Sequence, residues 1–285
     1  MNLIIIVDME GISGIGSKDV EMTIPGKKQW EEDGKKYLTN DVLTVVTACY
    51  DTYDEIFISD CHNGGRNIDR MMFLGDKIKF IDYYWTEKIT YHHAILVGFH
   101  GRKYIDDTKN AIFPHTFRDD IGMIKVNNVA IGEVGLSILW LHEHNVKTLL
   151  VIGDNNAVGE AKEIERTING CIVKDKYYNE EIVPSNYFSQ NNIYKSVKNS
   201  INHSDSVSDS FYLPSNNQIV LHSTYENGFK ELPRYIVSIS AKNYGDHLCW
   251  DNVSFKEFFD ILLNLCYFMH DIMCDLRIKE TVHKI

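Results

Sequence analysis

Basic residues are too few and too scattered in this chain for a nucleic-acid partner. Its 29 Lys and Arg stand against 40 Asp and Glu, a net charge of −11, and they form no dense run that could follow a phosphate backbone. Long apolar stretches are missing too. The opening run from Met1 to Val7 is broken by Asp8 and Glu10, well short of a signal-peptide core or a membrane span, so no membrane partner is expected and the expected compartment is the cytoplasm. The six cysteines contain no C-x-x-C pair and fall in apolar stretches, which suits reduced core thiols, Cys61 included despite its place between Asp60 and His62. Four signatures of binding or catalysis are absent. Gly11 to Lys18 is glycine-rich but lacks both the G-K-[ST] ending of a phosphate loop and the third glycine of a dinucleotide fingerprint, so its role is to let backbone pass close to a site. His142-Glu143-His144 lacks the i, i+4 spacing of H-E-x-x-H and reads as a solvated helix end, and no G-x-S-x-G elbow occurs.

What is present is enough apolar material, 44% of residues, to build a core. Short apolar runs alternate with amphipathic stretches, the pattern of an α/β protein with a largely parallel sheet flanked by helices. Strands are predicted at Leu3 to Val7, Glu55 to Ser59, Ala94 to Phe99 and Thr148 to Ile152. Helices are predicted over Lys36 to Tyr50 and Glu133 to Glu143. Asn127-Asn128 tolerates the positive φ of a tight turn and predicts a hairpin over Met123 to Ile131. Polarity rises from Asn186 to Asn217, which suggests a boundary between a metal-binding catalytic domain at 1–185 and a smaller C-terminal α+β portion at 186–285. In that second part strands are predicted at Ile219 to Ser223, Tyr235 to Ile239 and His247 to Trp250, before a long closing helix from Phe255 to Leu276 whose apolar face suits a core or a subunit interface.

Carboxylates and histidines gather at the ends of the predicted strands. Asp8 and Glu10 follow the first, and a period of two turns both to one face while Met9 points away. His62 follows the second strand and His100 the third. Glu133 opens a helix just after the hairpin. Taken singly, each has a bland reading as a solvated strand end, a surface histidine or a helix-end acid. Ligands of open α/β sheets bind beyond the carboxyl ends of the strands, however, so these positions can converge. Imidazole and carboxylate without thiolate suit Zn²⁺ or Mn²⁺, and five such groups exceed what one four-coordinate ion with an open position needs. His115 lies in a loop, where a neutral imidazole can accept or donate a proton.

Val7-Asp8-Met9-Glu10-Gly11-Ile12-Ser13-Gly14, Asp60-x-His62, Gly98-Phe99-His100, Pro114-His115-Thr116 and Gly132-Glu133-Val134-Gly135-Leu136 resemble, in the same order, the DppA-like D-aminopeptidases, a family of zinc peptidases. The resemblance implies two zinc ions bridged by Asp8, with Glu10, His62, His100 and Glu133 as the other protein ligands and His115 as the catalytic histidine. It also implies short, D-configured peptide substrates and a ring-forming homo-oligomer, decamers among the known forms. Pro114 and Thr116 depart from the small, serine-like neighbours usual beside that histidine, and Asp175 to Glu180 departs from a Gly-Arg stretch usual after Lys174. Two other readings use the same ligand types: a binuclear metal phosphoesterase, and a noncatalytic metal-binding assembly protein.

Overall fold

A computed structural model describes residues 1–86, 88–103, 113–118, 121–175, 181–182, 186–204, 215–224, 229 and 241–266. In chain order the strands are β1 (Asn2–Val7), β2 (Glu55–Asp60), β3 (Ile78–Ile81), β4 (His93–Phe99), β5 (Ile121–Val126), β6 (Val129–Ile131), β7 (Lys147–Asp154), β8 (Asn169–Asp175), β9 (Glu181–Ile182), β10 (Asn217–Ser223), β11 (Lys242–Asn243) and β12 (His247–Val253). The helices are α1 (Lys35–Cys49), α2 (Glu133–Glu143), α3 (Asn155–Ile164), α4 (Tyr187–Asn202) and α5 at 255–266. No described helix is long and apolar enough to cross a membrane.

The chain forms two compact units, residues 1–114 with 132–212 and residues 115–131 with 213–285. The first is built on a seven-stranded sheet in the order β3-β2-β1-β4-β7-β8-β9, parallel throughout except for β9. Leu3 to Val7 are all fully buried, as a strand covered on both faces requires, and burying each such side chain is worth about 1.5–3 kcal/mol. Alternate residues Leu3, Ile5 and Val7 join Ile56, Ile58, Ile95, Val97 and Ile152 in a core with Leu38, Val42 and Val45 of α1 and Ile193 and Val197 of α4. Helices α2 and α3 pack against each other and against β7. Counting its six parallel strands in chain order, the sheet reads 3-2-1-4-5-6, the doubly wound order, whose direction of winding reverses between β1 and β4.

The predicted boundary at 185/186 is not where these units divide. The polar segment after Asn186 begins as α4, which belongs to the first unit and packs on α1 and β8. Asn186 caps it in a reciprocal box with Ser189, and its buried stripe is Ser189, Ile193, Val197 and Ser200. Half of that stripe is serine, so apolar periodicity alone does not reveal it.

The second unit holds the five-stranded antiparallel sheet β11-β12-β10-β5-β6 and α5, the smaller α+β portion, with its first hairpin drawn from the middle of the chain. Asn127 and Asn128 turn that hairpin at φ 49° and 66°. Phe255, Phe258, Phe259 and Leu262 of α5 are buried, and Phe258 meets Trp250 edge to face. The strand predicted at Tyr235 to Ile239, the helix beyond residue 266, residues 176–180 and Cys274 lie outside the described residues. Among the described cysteines, Cys49 and Cys171 are buried and Cys61, Cys249 and Cys266 half-buried, none of them in a disulfide.

Candidate metal centre

Four chain segments of the first unit converge beyond the carboxyl ends of β1, β2 and β4, at the reversal point of the sheet. β1 gives way at Asp8 to a turn that stays paired with β4, through Asp8 N to Val97 O at 2.8 Å and Gly11 N to Gly98 O at 2.7 Å. Met9 is fully buried in the core, while Asp8 and Glu10 turn to the cluster. The approach is too close for side chains. A Cβ on Gly11 would stand 1.8 Å from the Phe99 carbonyl oxygen; one on Gly98, whose φ is +79°, would stand 2.1 Å from that of Asp8. The glycine-rich turn therefore does what its composition suggests, passing backbone close to the site.

His62 Nδ1 lies 3.3 Å from Asp8 Oδ1 and 3.1 Å from Glu10 Oε2. His100 Nε2 lies 3.4 Å from Asp8 Oδ2 and 3.5 Å from Glu133 Oε1, the first side chain of α2. Each imidazole is oriented by its other nitrogen. His62 Nε2 donates to the Thr23 carbonyl at 2.6 Å and His100 Nδ1 to the Gly101 carbonyl at 3.0 Å, so His62 presents Nδ1 and His100 presents Nε2. The two histidines thus face the carboxylates through different ring atoms.

All five side chains have little access to solvent, and without a cation they strain one another electrostatically. Burial, then Glu10, pushes the Asp8 carboxyl up to about 7. Burial works against charging of both imidazoles, but Glu133 and Asp8 hold His100 up at about 10, and Glu10 and Asp8 hold His62 well above its ordinary value. Asp8 Oδ2 is buried and makes no hydrogen bond. Ligand atoms of Asp8, Glu10 and His100 lie within 4.8 Å of one another. An unsatisfied buried carboxylate oxygen among hard oxygen and imidazole donors is the environment that a divalent ion such as zinc completes.

Each segment is held from behind by a buried polar group that sequence reading did not single out. Asn67, fully buried, donates to both oxygens of Asp60 (2.7 and 3.0 Å) and to the His62 carbonyl (2.6 Å), and accepts from Trp30 Nε1 at 3.0 Å. Lys174 reaches from β8 to donate to the carbonyls of Glu10 (2.6 Å) and Ile15 (2.7 Å); burial lowers it to about 8, against the pull of Asp154 and Asp41. Asp154, at the end of β7, accepts from Gly101 N at 2.9 Å beside His100, and from Ala157 N at 2.7 Å as the cap of α3. Its position at a fourth strand end was the available signal. His115 belongs to the second unit, where it is half-buried and precedes the bridge between Thr116 and Arg118. His142, Glu143 and His144 are exposed at the end of α2, as expected.

A doubly wound sheet with carboxylates and imidazoles packed at its reversal point defines a class, the α/β proteins equipped to bind divalent metal. The family can be stated as well. A family model described as D-aminopeptidase, peptidase M55, matches residues 1–227, and the chain belongs to that family. It is 25% identical over 182 residues to the D-aminopeptidase of Bacillus subtilis (strain 168), a match covering 61% of this chain and 64% of that protein. Its fold is that of the Zn-dependent D-aminopeptidase DppA from Bacillus subtilis, described as a self-compartmentalizing protease, with a TM-score of 0.79, 18% identity and coverage of 93% of this chain and 96% of the other.

Proposed function

We propose that this protein is a zinc aminopeptidase that removes the N-terminal residue from short, D-configured peptides, in a homo-oligomer that admits only short substrates. The observation that carries the reading is the placement of Asp8, whose two oxygens face different histidines, Oδ1 toward His62 and Oδ2 toward His100. With Asp8 between them, Glu10 and His62 would hold one ion and His100 and Glu133 a second. Membership in the D-aminopeptidase family supports the peptide substrate, and the self-compartmentalizing character of the Bacillus structure supports the closed assembly, a decamer in this reading.

Ions held there would supply Lewis-acid polarisation of a scissile carbonyl and lower the pKa of a water. The chain's own part is to hold the five donors fixed, to keep the histidines in the tautomers that Thr23 and Gly101 select, and to move a proton. His115 is assigned that last task, taking up the proton that the attacking water releases and giving it to the departing amine nitrogen. The test is zinc content of the chelator-stripped and reloaded chain, paired with hydrolysis of matched D- and L-aminoacyl dipeptides. Two zinc ions per chain and cleavage of the D-series are expected. A chain that cleaves phosphoesters and no peptide, or that binds zinc and turns over nothing, overturns the reading.

A further inference from the structure

We propose that Glu160 is a positioning residue for one half of this centre: through the first turn of α2 and through Arg102, it fixes Glu133 relative to His100. The proposal rests on the metal-binding reading above. Helix α2 opens at Gly132, which has no side chain to cap the free amides of the first turn. The cap comes from α3. Glu160 Oε1 accepts from Gly132 N at 2.6 Å and Gly135 N at 2.8 Å, placing a carboxylate at the positive end of α2, on the residues that flank Glu133. Its Oε2 accepts from Arg102 Nη1 at 3.1 Å, two residues beyond His100. The bare Gly132 also makes room for Arg102, since a Cβ there would stand 2.5 Å from the Arg102 Cβ.

A single carboxylate, only 2% exposed, therefore ties the segment that carries His100 to the segment that carries Glu133, whose facing atoms are 3.5 Å apart. Both its oxygens are engaged. The other half of the centre is held by different groups, Lys174 behind Glu10 and Asn67 behind His62, so loosening Glu160 should act on one half alone.

The experiment is calorimetric titration of the chelator-stripped full chain with zinc, for wild type, Glu160→Ala, Glu160→Gln, Glu133→Ala and the Glu160→Ala/Glu133→Ala double variant. Glu160→Ala should weaken one of the two equivalents by about 10–100-fold, the usual effect of removing a group that orients a ligand, and leave the other within about threefold. It should be the equivalent that Glu133→Ala removes, so the double variant should lose nothing beyond Glu133→Ala. Glu160→Gln keeps an oxygen for the two glycine amides but turns an NH₂ toward Arg102, and should fall between wild type and Glu160→Ala. If Glu160→Ala does not fold, Glu160→Gln and Arg102→Met carry the same comparison. Cobalt in place of zinc should show an altered visible spectrum in these variants, which a uniformly loosened fold would not confine to one equivalent. Equal weakening of both equivalents, or no change in either, overturns the proposal. A wild type that binds a single equivalent refutes the two-ion reading instead, and the role of Glu160 then stands or falls on whether its loss weakens that ion as the loss of Glu133 does.

Discussion

Stripped of metal, the protein should lose stability as pH rises, and loaded with zinc it should gain. The folded chain holds Asp8 at about 7, against an ordinary 3.8, because the carboxyl is buried beside Glu10. Between pH 5 and 7 the unfolded chain has released this proton while the folded chain keeps it. The unfolded state binds fewer protons, so stability falls by about 1.4 kcal/mol per pH unit until the folded carboxyl itself begins to ionise near pH 7, about 2 kcal/mol across that window. The buried carboxyls of Asp41, Asp60, Asp154 and Glu160 are shifted in the same direction. His62 and His100 are raised, so their contribution is complete below the unfolded histidine value of 6.5 and is lost as pH climbs toward the value of about 10 held by His100. Exposed carboxylates such as Asp54 and Asp251 are lowered and titrate below the window. A bound cation reverses the sign, since it needs ionised carboxylates and neutral imidazoles and binds more tightly as protons leave. Urea unfolding at pH 5, 6, 7 and 8, with chelator and with saturating zinc, measures both slopes. A chelator-treated protein that becomes more stable between pH 5 and 7 refutes the reasoning.

Gly98→Ala should cost about 3–5 kcal/mol, from the left-handed backbone and the collision with the Asp8 carbonyl together, and should lower zinc uptake; urea melts and elemental analysis report the two effects. Asn67→Ala strips Asp60 Oδ1 and the His62 carbonyl of their side-chain donor and Trp30 of its acceptor, and should cost about 3 kcal/mol in urea melts, whereas Asp69→Ala, on an exposed turn nearby, should stay within about 1 kcal/mol. His115→Ala should retain both ions and its melting temperature while kcat falls by about 10²–10⁴; loss of metal would make it a ligand, and unchanged turnover a bystander.

The parallel sheet was legible because β1, β2, β4 and β7 are buried on both faces and read as short apolar runs bounded by polar residues. The clustering of Asp8, Glu10, His62, His100 and Glu133 was legible for a related reason, since strand ends on one edge of such a sheet must meet. Strand order was not readable, and so neither was the coincidence of the cluster with the reversal between β1 and β4. Helix α4 was hidden by serines in its buried stripe. Lys174, Glu160 and Asn67 were hidden because a buried polar group looks in sequence like any surface residue until its partners are known. The division of the chain at 114 and 132 was equally silent, as it depends on a hairpin from the middle of the chain pairing with β10 inside the second unit.

The cluster draws its side chains from positions 8, 10, 62, 100 and 133, so ions held there would fasten three long loops of chain at a single knot. A clasp of this kind narrows the freedom of the unfolded chain as a disulfide does, and it opens only when the ion departs. The lifetime of the folded first unit would then be set by the rate of metal release. Scarcity of zinc would be felt as exposure of the chain to proteolysis as well as loss of turnover, and resistance to proteolysis would become a gauge of metal supply.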